Sequence, residues 1–333
     1  MTFPQTLLSW FHENGRDLPW RQTRDPYAIW LSEIILQQTQ VKQGWDYWLR
    51  FMRRWPTVDS LAAATEDEVL RQWQGLGYYS RARNLHTAAR QIIAAGGFPT
   101  TIEGLRALKG VGDYTAAAIG SIAFDLPVAV VDGNVYRVLA RHYGIATPIN
   151  TTEGKHEFAA LAQSLLPEAE ASAYNQAIMD FGATQCTPQS PDCDTCPLQE
   201  TCAAFREGRI GELPVKRRTL KVKERHLIYV YVRCNGYTAI HRRPAGDIWQ
   251  GLYEPLCVED SNLSHLSSLL SPLKKNVKHV LTHRIIYADF YLLEADERPA
   301  LPVGYFWIPE AALGDYAVPR LIEILLEEVR GEK

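Results

Sequence analysis

The chain has 333 residues, of which 46% are hydrophobic and 22% are charged, and its formal net charge is −3. This is the composition of a globular chain with material for two domains, and the small negative charge argues against a partner held by bulk charge alone. No stretch is long and apolar enough to span a membrane, and the N-terminal residues lack the pattern of a signal peptide, so we expect a cytoplasmic protein.

Residues 1–205 are predicted to form one helix after another. An amphipathic first helix should end at Gly15, and Asp25 should cap a long second helix. Strand signals are scarce here, apart from the short run PVAVV before Asp132. We therefore expect an all-α first domain.

The character of the chain changes at about residue 206. Residues 206–224 are polar, basic and interrupted by glycine and proline, which is typical of a linker. Residues 225–333 then mix strand-like runs such as HLIYVYVRC with helices predicted near LSHLSSLLS and PRLIEILLEEVRG. The sequence thus predicts a first domain over 1–205, a basic linker over 206–224 and a smaller α+β domain over 225–333.

A glycine pair marks a loop between two predicted helices, in the stretch LKGVGDYTAAAIGSIAF (108–124). Gly110, Val111 and Gly112 would leave backbone N–H groups uncovered at the start of the second helix, where the helix dipole also attracts anions. The loop is therefore a candidate phosphate-binding site. A plain helix–helix turn, with glycine used only for tightness, also fits this isolated stretch.

Four of the six cysteines crowd into one short loop with the spacing C-x6-C-x2-C-x5-C: Cys186, Cys193, Cys196 and Cys202. In a reducing compartment such clustering indicates metal and not disulfides. Four thiolates can enclose a zinc ion or a cubic iron–sulfur cluster, and zinc sites more often show two C-x2-C pairs where this loop has one. A ferredoxin-like electron carrier is a further interpretation of the same loop.

Two acidic residues have sequence neighbours that suggest a catalytic role. Glu33 lies within the apolar stretch WLSEIIL (30–36), and apolar surroundings raise the pKa of a carboxyl group. Asp132 precedes a predicted helix, where it could accept backbone N–H bonds as an N-cap and stay ionised. Taken alone, an exposed helix glutamate and a plain N-cap explain the same two residues.

The glycine hairpin and the cysteine loop together resemble the helix–hairpin–helix DNA glycosylases, and within them the adenine DNA glycosylases of the MutY type. The resemblance covers nearly the whole first domain, in the stretches LPWR (18–21), WLSEIILQQTQV (30–41), GLGYYSRARNL (75–85), LKGVGDYTAAAI (108–119), VDGNVYRVLAR (131–141) and NQAIMDFGATQC (175–186). It implies an all-α helix–hairpin–helix glycosylase domain whose four cysteines hold a 4Fe–4S cluster. The second domain resembles, more loosely, the Nudix-like C-terminal domain of that family.

The resemblance also implies the chemistry. Breaking an adenine–deoxyribose bond needs a protonated leaving base and a stabilised sugar cation, as in glycoside hydrolysis. By the resemblance, Glu33 protonates adenine and later assists the water, and Asp132 stabilises the cation. Tyr114 and Asn134 would orient these groups. In endonuclease III the position of Tyr114 carries an attacking lysine, and a phenol cannot form a Schiff base, so we expect hydrolysis alone.

Further positions match the recognition residues of the family. Those of the pocket for the everted adenine are Arg16, Trp20, Arg21 and Gln176. Gln38 and Tyr78 match residues that wedge into the duplex. Core packing is the alternative for the aromatic rings of Trp20 and Tyr78. In the second domain Thr282 and His283 match a strand that inspects the opposite base, 8-oxoguanine, but Leu281 replaces the phenylalanine of the family. A structural histidine is the alternative for His283.

The sequence therefore predicts a monofunctional DNA glycosylase of base excision repair that removes adenine opposite 8-oxoguanine or guanine. Its partner would be double-stranded DNA with such a mispair, bound by a monomer that associates with the nucleoid if the source is bacterial. Two other interpretations stay open. One is an endonuclease III-like glycosylase and lyase, against which Tyr114 argues, and the other is a non-enzymatic iron–sulfur protein that binds DNA and senses lesions.

Overall fold

The computed structural model describes residues 1–217, 222–258 and 269–331. The chain divides into two compact units. The first combines Met1–Ala62 with Thr87–Arg218, and the second combines Ala63–His86 with Thr219–Lys333. Among the described residues, no helix is both long and apolar enough to cross a membrane. The domain boundaries given above stay a prediction, but a short segment from the N-terminal half clearly groups with the C-terminal residues.

Residues 1–217 form helices joined by loops and contain no strand, as predicted. The α-helices are α1 (Phe3–Asn14), α2 (Pro26–Leu36), α3 (Val41–Arg54), α4 (Val58–Ala63), α5 (Glu66–Trp73), α6 (Ser80–Ala94), α7 (Ile102–Arg106), α8 (Asp113–Phe124), α9 (Gly133–Tyr143), α10 (Thr152–Leu165), α11 (Ala171–Thr184) and α12 (Ala203–Arg206). Short 3-10 turns occupy Pro19–Arg21, Glu168–Glu170 and Gln199–Thr201.

Local side-chain chemistry explains the ends of the first helices. The Asp25 carboxylate accepts a hydrogen bond from the Tyr27 N–H and so caps α2, as predicted. Helix α1 stops before Gly15, where a Cβ atom would lie 2.6 Å from the carbonyl oxygen of Phe11. These two ends fix the chain that leads into α2, the helix that carries Glu33.

The run PVAVV (127–131), which carried the strand signal noted in the first domain, does not form a strand. A buried side-chain amide holds its backbone in place of a neighbouring strand: Asn175 accepts from the Val130 N–H at 3.0 Å and donates to the Val128 carbonyl oxygen at 2.8 Å. Buried backbone groups need partners, but those partners can be side chains. This anchoring leads the chain to Asp132 at the start of α9.

One core cluster of the first unit lies among α1, α9, α10 and α11. Trp10 of α1 meets Phe181 of α11 edge to face, with ring centroids 5.0 Å apart. Leu139 of α9 and Phe158 of α10 are fully buried in the same cluster. This core holds α9, whose N-cap is Asp132.

The described residues of the second unit contain a mixed sheet, as predicted for an α+β domain. Its strands are β1 (Lys223–Cys234), β2 (Tyr237–Arg242), β3 (Tyr253–Glu254), β4 (Leu256–Val258), β5 (Ser271–Leu281), β6 (Arg284–Glu294) and β7 (Tyr305–Pro309). The order is β3-β2-β1-β6-β5, with β4 paired to β1 and β7 to β2. Strands β1 and β6 run parallel, and the other described pairs are antiparallel.

Helix α13 (Arg320–Arg330) supplies the helical layer of this unit and confirms the prediction for PRLIEILLEEVRG. Its buried Leu321 and Leu325 belong to the same core cluster as Tyr229 of β1 and Phe290 of β6. The helix predicted near LSHLSSLLS lies for the most part outside the described residues.

A two-residue turn joins β5 to β6. Leu281 pairs with Arg284, which leaves Thr282 and His283 at the tip of the hairpin. The expectation that these two residues lie on a strand is wrong, because a tight turn reverses the chain at this point. They stand beyond the end of the β5–β6 ladder and not within it.

Candidate active site

A cavity of about 200 Å³ in the first unit gathers most of the residues predicted to carry out the chemistry. Those that line it are Arg16, Trp20, Arg21, Glu33, Tyr114, Asp132, Asn134 and Gln176. They come from the 3-10 turn before α2, from α2, α8, α9 and α11, and from the loop after α1. Side chains far apart in sequence thus converge on one site, and the two predicted acids share it.

Glu33 lies in the middle of α2 and is only 8% exposed. Every residue of this helix from Tyr27 to Ile35 is buried. The Tyr114 hydroxyl donates a hydrogen bond of 2.6 Å to Glu33 Oε2. Burial raises the pKa of Glu33 to about 7, against the opposing effects of this hydrogen bond and of Arg21. A carboxyl group with such a pKa can both give and take a proton at neutral pH.

Asp132 is the N-cap of α9, as predicted. Its Oδ1 accepts the Val135 N–H at 2.8 Å, and its Oδ2 accepts the side-chain amide of Asn134 at 2.7 Å. Burial raises the pKa of Asp132, although these hydrogen bonds oppose the rise. The cap is visible in the sequence, whereas the burial of this carboxylate is not. Both carboxylate oxygens have a partner, so the orientation of the group is fixed.

Arg137, which the sequence analysis did not single out, ties the first turn of α9 to the end of α11. Its guanidinium donates to Asn134 Oδ1 at 2.8 Å and to the carbonyl oxygens of Gly182 at 2.6 Å and Cys186 at 2.7 Å. Asn134 is therefore held between Asp132 and Arg137. The i, i+3 spacing of Asn134 and Arg137 on one helix was the available signal.

Gly182 allows α11 to pack closely on α9. A Cβ atom at this position would lie 2.6 Å from the Cβ atom of Asn134 and 2.9 Å from its carbonyl oxygen. Protein interiors are too densely packed to absorb such contacts without movement of the neighbours. The missing side chain thus sets the position of Asn134 and, through it, the orientation of Asp132.

Arg16 and Arg21 share a buried partner, Asp180, which the sequence analysis missed. This aspartate accepts from the N–H and Nε of Arg16 at 2.9 Å and from both terminal nitrogens of Arg21 at 2.6 Å. Although burial raises it, hydrogen bonds from Arg21 and Arg16 hold the pKa of Asp180 below its usual range. The carboxylate is a fixed anion that orients both arginines. A charged residue inside the apolar stretch NQAIMDFG was the signal, since a buried charge needs partners.

Trp20 and Gln176 form part of the cavity wall. The Trp20 ring meets Trp45 and Trp48 edge to face, with centroids 5.9 and 5.7 Å away. Trp20 therefore both packs against other rings and forms part of the cavity wall. The Gln176 side-chain amide donates to the Ser172 hydroxyl at 3.3 Å, which leaves its oxygen for other partners.

The two predicted wedge residues share an uncommon backbone conformation. Gln38 has a φ of 55° and Tyr78 a φ of 47°, and both side chains are exposed. Residues other than glycine seldom adopt this left-handed region, and where they do the strain often marks a functional site. Gln38 does not line the cavity of the first unit, and Tyr78 belongs to the second unit.

The glycine hairpin joins α7 to α8. Gly110 has a φ of 80°, and Gly112 is the N-cap of α8; both are exposed. Val111 is buried and gives its N–H to the carbonyl oxygen of Leu108 at 3.1 Å. Binding of a phosphate would therefore fall to the N–H groups around the glycines and not to that of Val111.

The four clustered cysteines surround a small cavity of about 30 Å³. Arg141 fixes the start of the loop, donating to Cys186 Sγ at 3.4 Å and to the carbonyl oxygens of Thr187 at 2.8 Å and Pro188 at 2.9 Å. Within residues 1–217, 222–258 and 269–331, no three His, Cys, Asp or Glu side chains are arranged to hold a single ion. The donor set of four thiols around one cavity fits a 4Fe–4S cluster, in which each thiolate binds a different iron.

A wider cavity of about 600 Å³ lies within the second unit. Tyr78, Thr282 and His283 line it, together with Trp249 and Leu281. The hydroxyl groups of Tyr78 and Thr282 are hydrogen-bonded to each other. The structure thus brings together the three recognition residues predicted for this part of the chain, and we call this cavity the recognition groove.

Three family profiles match the sequence. Residues 31–168 match the HhH-GPD superfamily base excision DNA repair protein, residues 186–202 the iron–sulfur binding domain of endonuclease III, and residues 228–328 a NUDIX domain. Together with the fold, these matches define the class: a helix–hairpin–helix glycosylase fold with a 4Fe–4S loop and a C-terminal Nudix-like domain. The predicted fold class and cofactor are confirmed.

Comparison with curated relatives narrows the class to a family. The adenine DNA glycosylase of Buchnera aphidicola subsp. Baizongia pistaciae is 33% identical over 305 residues, which cover 87% of this chain and 85% of the relative. That of Rattus norvegicus is 46% identical over 226 residues, which cover 64% of this chain and 44% of the relative. The chain belongs to the adenine DNA glycosylase family, and it spans less than half the length of the mammalian relatives it matches.

A solved structure supports the fold of the first part of the chain. The structure of a thermostable thymine-DNA glycosylase matches with a TM-score of 0.57 and 30% identity, over 62% of this chain and 95% of that chain.

Proposed function

We propose that this protein is a monofunctional DNA glycosylase that removes adenine mispaired with 8-oxoguanine or guanine in double-stranded DNA. The observation that carries the proposal is the cavity in which Glu33, bonded to Tyr114, stands with the capped carboxylate of Asp132. Membership of the adenine DNA glycosylase family supports adenine as the base released.

Glu33 is the proton donor to the departing adenine. With a pKa of about 7, a large fraction of the carboxyl groups carry a proton at neutral pH. Burial and the nearby acids raise the pKa of Tyr114 well above its usual value, so its hydroxyl stays a donor and orients Glu33 Oε2. Once the base has left, the Glu33 carboxylate takes a proton from the attacking water.

Asp132 stabilises the positive charge that develops on the deoxyribose. Bonds from Asn134 and from the Val135 N–H hold its carboxylate in place before the reaction begins. A fixed charge in an enclosed site acts more strongly than one in water, because little solvent is present to screen it. The two acids thus divide the tasks of glycoside hydrolysis, one as proton donor and one as anion.

The product is an abasic site in an intact strand. A lyase attacks the sugar with an amine, and among the described residues no lysine lines the cavity. Tyr114 stands at the start of α8, directly after the glycine hairpin, and cannot form a Schiff base. The 4Fe–4S cluster, when bound by the four cysteines, would cross-link residues 186–202 and give this loop a fixed shape.

Residues of the recognition groove inspect the base opposite adenine. The Thr282 hydroxyl and the His283 imidazole can donate and accept hydrogen bonds at a purine edge. The exposed Tyr78 ring, 45% accessible, offers a face on which a base can stack. One chain carries both sites, so a monomer is sufficient.

Single-turnover cleavage assays test this function. Duplexes with adenine opposite 8-oxoguanine, guanine or cytosine are incubated with the protein and then treated with alkali to cut abasic sites. We expect rapid excision opposite 8-oxoguanine, slower excision opposite guanine and none opposite cytosine. Glu33→Gln should abolish excision, whereas Glu13→Gln, an exposed site on α1, should not. Full activity of Glu33→Gln would contradict the proposal.

The same assay separates the alternatives. An endonuclease III-like lyase would cut the strand without alkali and would form a protein–DNA adduct in high yield with borohydride. A non-enzymatic lesion sensor would bind the mispaired duplex and release no adenine. We expect neither result.

A further inference from the structure

The segment Ala63–His86 lies within the matched glycosylase profile over 31–168, but it packs with the C-terminal residues. It contains α5, the turn with Tyr78 and the start of α6. The turn is unusual, since Gly77 and Tyr78 follow each other with φ angles of 70° and 47°. The Tyr78 hydroxyl is hydrogen-bonded to the hydroxyl of Thr282 at the hairpin tip.

Charged groups bind the first turn of α5 to the sheet. Arg242, at the end of β2, places Nη2 2.9 Å from Glu66 Oε1 and 2.9 Å from Asp67 Oδ1. The hydroxyl of Tyr253 in β3 donates to Asp67 Oδ2 at 3.0 Å. Gly251 lies against this contact, because a Cβ atom there would come within 3.3 Å of Glu66 Oε1.

Other bonds hold the segment on either side of the turn. After Tyr78, Arg83 donates to the carbonyl oxygen of Gln250 at 2.7 Å. Before it, the side-chain oxygen of Gln74 accepts the Val318 N–H at 3.3 Å. The residues before and after the turn are therefore both bonded to other parts of the second unit. Arg242 contributes ion pairs to this attachment.

We propose that Arg242, Glu66, Asp67 and Tyr253 form a clasp that positions Tyr78 at the hairpin tip, and that the clasp thereby sets the preference for 8-oxoguanine over guanine. This inference rests on the proposed function. It makes Arg242 a positioning residue that acts on the opposite base through Tyr78 and touches neither the adenine nor the sugar.

The exposure of the clasp argues that it orders the turn locally. The Arg242, Glu66 and Asp67 side chains are 44%, 40% and 49% exposed. Ion pairs this exposed contribute little to the stability of a whole protein. A left-handed tyrosine beside a glycine is a strained conformation that persists only where several contacts restrain it. Trp73 and Arg81 donate to the Gly77 carbonyl oxygen at 3.0 and 3.3 Å, and the clasp adds a restraint from the sheet.

Hydrogen exchange tests, without any activity assay, whether Arg242 orders the turn that carries Tyr78. We expect Arg242→Ala to speed amide exchange in peptides that span residues 75–83, while the melting temperature changes little. The matched control is Arg298→Ala, because Arg298 stacks on Tyr237 at 4.0 Å in the same unit and has no contact with the clasp in the described structure. This control should leave exchange at 75–83 unchanged.

The ratio of the excision rate opposite 8-oxoguanine to that opposite guanine tests whether the clasp sets the preference between the two bases. We expect Arg242→Ala to lower the rate opposite 8-oxoguanine relative to guanine by about threefold to tenfold, in the range for coupled residues of one network. The rate opposite guanine should stay as in the wild type. Arg242→Lys, which keeps one ion pair, should recover part of the ratio, and Arg242→Ala should add no further loss to Tyr78→Ala.

Three results would overturn the inference: unchanged exchange at residues 75–83, faster exchange with an unchanged ratio, or additive losses with Tyr78→Ala. If the wild type released no adenine, the proposed function would fail, and the exchange experiment would still decide whether Arg242 orders the turn. Equilibrium binding to duplexes with 8-oxoguanine or guanine would then replace the rate ratio.

Discussion

The cavity of the first unit and the recognition groove of the second unit differ in how their side chains are held. In the first, Glu33 and Asp132 are buried in about 200 Å³ with hydrogen bonds that fix their orientation. In the groove of about 600 Å³, the predicted contacts come from a hairpin tip and from an exposed tyrosine. Breaking a bond requires fixed charges shielded from water, whereas inspecting a base requires room for it to enter.

After Glu33→Gln, the largest effect is expected from Asp132→Asn, which removes the anion of the enclosed cavity. Asparagine caps a helix as well as aspartate does, so α9 should stay intact. We expect the single-turnover rate to fall by about 10³-fold, the scale of a lost preorganised electrostatic contact. Asp25→Asn makes the same change at the cap of α2, outside the cavity, and should retain activity. A loss below tenfold for Asp132→Asn would break the contrast between the two cavities.

The pH dependence of the excision rate should show the effect of burial on the pKa of Glu33. The pKa of Glu33 is about 7, so the rate should fall about tenfold per unit as the pH rises above that value and the proton is lost. The Tyr114 hydrogen bond lowers this pKa, so Tyr114→Phe should shift the alkaline limb to higher pH. Single-turnover rates between pH 5 and 9, an assay range of about four units, would show this limb. A flat profile would contradict the role of Glu33.

Stability should reveal the cost of burying the acid. The pKa of Glu33 is raised on folding from 4.5 to about 7, so its favourable contribution is present below pH 4.5 and is lost as the pH rises through 7. Glu33→Gln should therefore raise the free energy of unfolding at pH 8 by up to about 3 kcal/mol, with little gain at pH 4. Urea unfolding at both pH values measures the difference. Equal effects at both would show that Glu33 is not buried as an acid.

The smallest effect is expected in the open groove, from Thr282→Val. The change removes the hydroxyl at the hairpin tip and keeps the shape of the side chain. We expect the ratio of excision opposite 8-oxoguanine to that opposite guanine to fall by about twofold to tenfold, the range for one hydrogen bond. The rate opposite guanine serves as the internal control. A comparable fall in both rates would show that Thr282 affects bond cleavage itself, which would contradict the separate roles proposed for the two cavities.

Residues whose role follows from their neighbours in sequence could be predicted. The apolar stretch around Glu33, the cap at Asp132 and the cysteine spacing are local patterns, and the structure places each in the expected setting. The assembly of these residues with Arg16 and Gln176 came from resemblance to a family, because no local pattern shows that distant segments meet.

Residues whose role depends on tertiary packing were missed. Asp180 and Arg137 act through partners on other elements, and a single sequence does not reveal such pairs. The run PVAVV has a strand signal but forms no strand, because its backbone is bonded to Asn175, which is distant in sequence. The hydrogen bond from the Val111 N–H to the Leu108 carbonyl oxygen could not be predicted from the sequence either.

The close approach of α11 to α9 at Gly182 bears on which inherited changes this protein can tolerate. Even alanine there would overlap Asn134, whose amide donates to the Asp132 carboxylate, while every titratable group would remain present. On the proposed function, such a substitution would lower adenine excision without removing either acid. Measurements of protein abundance do not report on the position of Asn134, so an assay of adenine excision would be needed to detect this change.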